Sequence, residues 1–554
     1  MVARSPRSGG PNQEAQVDVL VVGAGVAGLV CALELARRGI RCRLVDQRPE
    51  ARRGTRCPTI WSRTLETFDL MGLPLESLLG NGIPLRAKTF HVGGDVGTVT
   101  LEDSTRPYPY PLVVGQDVTE RMLTAHLTDL GVRVERGCRV RLAAQEPDGV
   151  TALLHTNRGA TGVRASWVVL ATGQPTTDAD LGIDVGWLSR DVPDLRWARA
   201  DVRVPDLGMP GELIFRGADS HGGLVPLPDG RYRLFVTLAA GTGQPSPVEV
   251  AAAARQATGL DVHVADARSI WCLRPRGRLA ERRRVGRCVV VGDAAAAFPM
   301  PVYGLNNAVH DALDLGWKLA SVARGEAGDE LLDTHAEERG AAARAILDRA
   351  VRVVGHASTT GLDVLRDRLR RDIFDVRGEP PGGYPPGPLV WPSTGVDPGF
   401  VGDRLPHRSL TAADGGRTTP HELIRGCDGW TLLLTRDASS PVDATTVAAL
   451  GRLATRYRAP VKAFELDLDG ERVPAVSGPA LSGPAIGAGV SVIRPDGHVG
   501  LHAAAGACHG HGGFVDAVTE ARRYLDTVLF RSPERRQDNV VTVAARVVRD
   551  SAVQ

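Results

Sequence analysis

The sequence predicts an α/β fold in which a nucleotide-binding domain is interrupted by an antiparallel-sheet domain and followed by a small α/β domain. Three observations carry this. A continuous apolar run from Val17 to Val22 passes through Gly23 into apolar residues at helical spacing, the start of a βαβ unit. Alternating segments with Pro-Asp-Gly turns fill roughly 197–270 between the apolar runs VVLATG and CVVVGDAAAA. Beyond a Pro- and Gly-rich stretch, Arg377 to Gly399, strand and helix patterns alternate again.

In chain order, residues 1–16 are polar and are expected to be disordered. Val17 to Val22 is the first strand, Val26 to Arg38 the helix and Ile40 to Val45 the second strand. The nucleotide-binding domain is expected over 17–85, 106–190 and 280–376, closed by helices at Ala308 to Ala323 and Gly340 to Val354. The middle domain takes 86–105 and 191–279, where ELIFRG and RYRLFVTLAA alternate in polarity. Residues 377–399 read as a linker, 400–535 as the third domain, with strands in GWTLLLTRD, VKAFELDL and GVSVIRPDGHVGLHA, and 536–554 as a tail.

The 554 residues are 43% hydrophobic and 23% charged with net charge +2, an ordinary globular balance that gives no reason to expect nucleic acid or an anionic membrane as partner. No apolar run approaches ~18 residues, so no transmembrane helix is expected. The polar N-terminus lacks a signal-peptide core. Eight scattered cysteines without C-x-x-C make no disulfide framework, and a reduced cytoplasm is the expected location. A monomer or homodimer is expected, with a small molecule as its partner.

Gly23-x-Gly25-x-x-Gly28 stands between strand and helix. Gly23 allows the tight turn, Gly25 lets a pyrophosphate approach, Gly28 allows close helix–strand packing, and the helix N-terminus offers N–H groups to phosphate. Asp46 ends the second strand 18 residues after Gly28, where an acid can take ribose hydroxyls. Together these specify a dinucleotide without saying which.

A second motif, Cys288 to Ala297, ends a strand in Gly292-Asp293 and continues through Phe298-Pro299-Met300-Pro301-Val302-Tyr303-Gly304-Leu305-Asn306 into a helix. It resembles the second FAD-contact motif of the flavoprotein aromatic hydroxylases. That resemblance implies that Asp293 contacts the ribityl and pyrophosphate oxygens. It also implies that Gly304-Leu305-Asn306 place backbone N–H groups beside the flavin pyrimidine, where a helix N-terminus stabilises negative charge, and that Pro299 is among the cofactor-binding residues. Gly54-Thr55-Arg56-Cys57 with Arg63-Thr64-Leu65-Glu66 is similar to another stretch of the family, placing Arg56 against the cofactor. Gln116 matches a family glutamine that contacts FAD. Arg278 to Glu281, Gly286-Arg287, Asp311-Ala312 and Trp317-Lys318-Leu319 continue the likeness. Pro406-His407 and Arg494-Pro495-Asp496-Gly497 resemble parts of the thioredoxin-like C-terminal domain of polyketide hydroxylases. The resemblance spans roughly Val17 to Leu529 and implies FAD as cofactor and NADPH as its reductant.

Three departures bear on the reductant. Ala171-Thr172-Gly173-Gln174 stands where the family has Asp-Gly with a following arginine, which removes a charge-assisted phosphate contact. Ala296 replaces a common histidine. The loop Pro299 to Gly304 has fewer glycines than the family loop, which stiffens a segment near the flavin. These speak against a conventional NADPH site. Two activities therefore stand open: monooxygenation of a bulky polyketide through a flavin C4a-hydroperoxide, and a non-redox cyclisation of Diels–Alder type with FAD as a structural wall. No catalytic acid or base is identified. Cys508-His509-Gly510-His511 lacks a second ligand pair, so it reads as an exposed loop and no metal is expected. Arg282-Arg283-Arg284 reads as a solvated edge.

Overall fold

The computed structural model describes residues 15–52, 58–92, 95–103, 106–173, 181–191, 196–205, 207, 211–216, 221–239, 241, 243–274, 276–299, 303–359, 383–392, 401–405, 407, 410–412, 417–436, 442–467, 488–505, 513–532 and 544–546. Arg56, Met300 to Val302, Pro406 and Cys508 to His511 lie outside them, as do most of the residues expected to form the disordered N-terminus.

The first strand, β1, runs Ala15–Val22 and is followed by helix α1, Val26–Arg37, and strand β2, Cys42–Asp46. β1 pairs in parallel with β2 on one side and with Gly159–Leu170 on the other, and Cys288–Val290 joins in parallel beyond Leu170. The register sets Val45, Val22, Leu170 and Val290 side by side. Consequently the Gly23 turn, Ala171-Thr172 and Gly292-Asp293 all emerge at one carboxyl edge, where ligands of such sheets bind. The long helix Gly304–Ala323 packs on α1 so closely that a Cβ on Gly316 would stand 3.0 Å from Cγ of Glu34.

The middle sheet, in spatial order, contains His263–Val264, Arg196–Arg203, Tyr232–Leu238, His221–Pro226, Glu212–Arg216, Ala87–Val92 and Asp95–Thr100. It is antiparallel except at one place, because Glu212–Arg216 runs parallel to Ala87–Val92. The hairpin 87–100 comes from an earlier part of the chain, so no tight turn dictates its direction. Helix Pro247–Thr258 covers one face, burying Ala198, Ala200, Val202, Leu213, Phe215, Leu224, Leu234 and Val236. Ser246 caps it and Gly259, at φ +72°, ends it.

The third region is a mixed sheet built on Trp430–Arg436, parallel to Val461–Asp467 and antiparallel to Gly489–Ile493. Two boundaries differ from expectation. Ala544–Arg546, assigned to the tail, is a strand paired with Val461–Asp467. Part of the expected linker also packs: Tyr384, Leu389 and Val390 are buried, and Trp391 N–H donates to the Gly500 carbonyl. Among the described residues no helix is long and apolar enough to cross a membrane.

Candidate functional site

The glycine turn shows what each of its positions requires. Gly23 has φ +106°, and a Cβ there would lie 2.7 Å from the Ala171 carbonyl carbon. Only glycine meets both demands. A Cβ on Gly28 would enter the Gly23 carbonyl. Gly25 differs: it is the N-cap of α1 with φ −82°, it supplies no side-chain cap, and a Cβ there would meet nothing within 4 Å among the described residues. The open space therefore lies at Gly25, directly before the first N–H groups of a helix, where an anion belongs. That space fits a cofactor pyrophosphate.

Asp46 is buried at the end of β2. Its Oδ2 accepts from Ala24 N–H at 2.7 Å and from Arg48 Nη2 at 2.8 Å, and its Oδ1 accepts from Arg48 N–H at 2.8 Å and Nε at 3.0 Å. Burial would raise its pKa, but these hydrogen bonds outweigh burial and hold it below the usual value. Four donors use the roughly four acceptor positions of a carboxylate. Ribose hydroxyls could reach Asp46 only as Arg48 withdraws, so Asp46 also braces the glycine turn. Gln116 opens helix Gln116–Asp129 and donates through Nε2 to Glu120 at 2.9 Å. Glu120 is buried, which raises its pKa against the opposing charges of Arg48, Arg52 and Arg136.

Gly292 sits between the two glycine-rich motifs: at φ +63°, its added Cβ would approach the Cβ atoms of Ala27 at 3.0 Å and Ala308 at 3.3 Å. Asp293 is exposed beside it, its Oδ1 3.4 Å from where a Cβ of Gly304 would stand. Pro299 and Leu305 are buried. Asn306 is buried and ties two segments together, accepting from Trp61 N–H at 3.0 Å and donating to the Thr59 carbonyl at 3.1 Å. The structure thus brings Gly23, Gly25, Gly28, Asp46, Asp293, Pro299, Gly304, Leu305 and Asn306 to one edge of the nucleotide sheet and its adjoining helix, with Gln116 near Arg48 through Glu120. Of the departures, Ala296 is buried against Leu279, Ala343 and Leu347, and Tyr303 sets its ring edge-on to Phe298.

Asp311, which the sequence matched to the family helix without a role at the site, sits directly beneath the second motif. Its Oδ2 accepts from Arg283 Nη1 at 3.0 Å and from Gly292 N–H at 3.3 Å, and its Oδ1 accepts from Arg339 Nε at 2.8 Å. Arg283 is therefore buried and corrects the solvated-edge reading, while Arg282 alone in that run is exposed. No local pattern marks this, because the partners are 28 residues away on either side.

The face of the middle sheet turned away from helix Pro247–Thr258 looks toward the nucleotide domain. Val225 packs with Leu85, Leu101 and Val113, and Lys88 pairs with Glu212 at 2.9 Å over the Trp61 ring. Farther along the same face the register places Trp197, Thr237, His221 and Arg216 across four strands. The Nε1 of Trp197 and the Nε2 of His221 are buried without a hydrogen-bond partner among the described residues. Burial, aided by Arg216, lowers the His221 pKa to about 4, which keeps the imidazole neutral. Such groups fit an organic ligand bearing oxygen acceptors or hydroxyls.

An FAD binding domain model matches residues 16–350. The chain belongs to this FAD-binding family. FAD is accordingly the cofactor of this flavoprotein, as the second motif implied. The chain is 35% identical over 349 residues to the 6-methylpretetramide 4-monooxygenase of Streptomyces rimosus, and it spans 60% of that protein's length. It is 30% identical over 535 residues to aklavinone 12-hydroxylase of Streptomyces purpurascens, covering 87% of this chain and 95% of that one. The crystal structure of aklavinone-11 hydroxylase with FAD and aklavinone is similar with TM-score 0.71 at 26% identity, over 93% of this chain and 99% of that one.

Proposed function

We propose that this flavoprotein is a monooxygenase that hydroxylates or epoxidises a bulky polyketide. What supports this is a middle-sheet face that carries the buried polar groups of Trp197 and His221 and sets Lys88 over the ring of Trp61, whose N–H is held by Asn306. FAD, when bound, supplies the redox and oxygen chemistry. The chain supplies position. Gly23, Gly25, Gly28 and the α1 N-terminus would hold the pyrophosphate, and Asp46 would take the ribose hydroxyls once Arg48 withdraws from its carboxylate. Asp293 would take the cofactor's ribityl and pyrophosphate oxygens, Gln116 and Pro299 would be further cofactor contacts, and the N–H groups of Gly304-Leu305-Asn306 would stand beside the pyrimidine. Apolar Ile214, Phe235 and Phe90 on the sheet face cover the substrate and exclude water. The relatives named above are monooxygenases or hydroxylases, which favours oxygenation over the cyclisation alternative. We place the enzyme in the cytoplasm as a monomer or homodimer.

NADPH as reductant is tested by anaerobic mixing with the purified holoprotein while flavin absorbance is followed. Loss of the oxidised band with NADPH when an aromatic polyketide is present is the expected result. Because Thr172 lacks the family's acid and no arginine follows it in 173–180, reduction without substrate is expected to be slow. A flavin that stays oxidised while substrate is consumed would overturn the oxygenation reading.

A further inference from the structure

The third domain holds two helices of the nucleotide domain through two grips, each centred on a buried arginine. The first is Arg494, fully buried on the turn between strands Gly489–Ile493 and Val499–Ala504. Its Nη1 donates to Glu338 Oε1 at 2.6 Å, and its Nη2 donates to Glu338 Oε2 at 2.9 Å, Asp314 Oδ1 at 3.2 Å and Asp496 Oδ2 at 2.6 Å. Glu338 and Asp314 belong to the nucleotide domain, and Lys318 joins them with Nζ 2.6 Å from Glu338 and 3.0 Å from Asp314. Trp317 of the same long helix sits in the third domain's core, edge-on to Trp430 at 5.6 Å.

The second grip is on helix α2, Ser62–Leu70. Arg404 Nη2 donates to Thr67 Oγ1 at 2.7 Å, Asp403 pairs with Arg63 at 3.2 Å, and Asp69 meets His421 and Arg425, each at 2.8 Å. Leu70 packs with Ile424, Leu433, Phe464, Ile493 and Val499.

Both gripped helices start at the same joint. Trp61 is the N-cap of α2, and its N–H is held by Asn306 in the first turn of helix Gly304–Ala323. The two grips therefore fix the angle between the helices at the point where the flavin pyrimidine is expected. A buried arginine held by three carboxylates cannot shift by small amounts, since any displacement leaves charges unpaired.

We propose that the third domain is a brace for the cofactor, in which Arg494 and Arg404 are positioning residues that set FAD affinity through the Trp61–Asn306 joint. This rests on the cofactor reading of that joint and goes beyond it by giving the third domain its role.

The test is Arg494→Lys in the full chain, which keeps the charge and loses the planar fork. FAD is titrated into apoprotein, and the melting temperature of the apoprotein is measured alongside. The comparison is Leu450→Ala, a core substitution in the third domain that removes none of the polar contacts of either grip. The expected result is a dissociation constant for FAD raised roughly tenfold in R494K, with a displaced flavin absorption band. L450A should lower the melting temperature and leave the dissociation constant at the wild-type value. Equal effects of the two variants on FAD affinity, or an unchanged affinity in R494K, would overturn the brace. If R494K does not fold, R404K is read in the same way on the α2 side. A wild-type chain that took up no FAD would overturn the cofactor reading as well.

Discussion

Gly25→Asp and Gly23→Ala separate what the cofactor needs from what the fold needs. At Gly25 the backbone is extended and the Cβ direction is empty, so aspartate enters without strain. There it can cap α1 and face the positive end of the helix, which stabilises the apoprotein by about 0.3–1 kcal/mol. The same carboxylate would stand beside the pyrophosphate. At ~4 Å and an effective dielectric of ~20 the repulsion is about 4 kcal/mol, roughly three orders of magnitude in affinity. Gly23→Ala does the opposite. The residue must keep φ +106° with its Cβ against the Ala171 carbonyl, so strain of ~1–2 kcal/mol and overpacking of ~1–3 kcal/mol fall on the apoprotein itself. Thermal melts of both apoproteins and FAD titrations by quenching of flavin fluorescence read the two effects. The expected pattern is an apo G25D as stable as wild type or slightly more so that binds FAD about a thousandfold more weakly, and an apo G23A destabilised by about 2–5 kcal/mol. FAD binding of normal strength in G25D would refute the assignment of the open space to the pyrophosphate.

Asp311→Ala leaves Arg283 and Arg339 buried without their shared carboxylate, so melts should show a loss of about 3–5 kcal/mol and gel filtration should show FAD leaking from the protein. Acid should destabilise the chain in two steps. Burial holds His310, His335, His498 and His502 below the ordinary 6.5, so the unfolded chain binds more protons as pH falls through ~6.5. Asp46, Asp311 and Asp496 lie below 3.8 because, against burial, their cationic partners win; their contribution is present above about pH 4 and is lost as pH falls through the folded values. Melting temperatures from pH 8 to pH 3 check this, and a flat profile would contradict it. His221→Ala and Trp197→Phe each remove one polar group from the sheet face and should weaken polyketide binding by ~1 kcal/mol, read by substrate-induced changes in flavin absorbance, with FAD content unchanged.

The cofactor edge was legible because its requirements are local. A tight turn, a close helix contact and a strand-end acid each leave a residue type at a fixed offset, and Gly23, Gly28 and Asp46 stand where that spacing puts them. What was not legible comes from long-range pairing of polar groups. The helix expected at Gly340 to Val354 runs Leu331–Thr359, because its first turns bury Thr334, His335, Glu338 and Arg339, which hide the apolar period. Arg283 carries the same lesson: in sequence it is one of three arginines, and only Asp311 explains its burial. Asp46 was placed rightly at the strand end, yet nothing in the sequence shows that Arg48 folds back onto it. The three-residue strand Ala544–Arg546 is too short to leave a pattern.

Oxygen isotope labelling tests whether this flavoprotein is a monooxygenase. The holoprotein is incubated with NADPH, 18O2 and a panel of aromatic polyketides, and the products are examined by mass spectrometry. The expected product carries a single oxygen atom from O2, forms with matching NADPH consumption and is strongly reduced in G25D. A product formed without label and without oxygen uptake would contradict the monooxygenase reading.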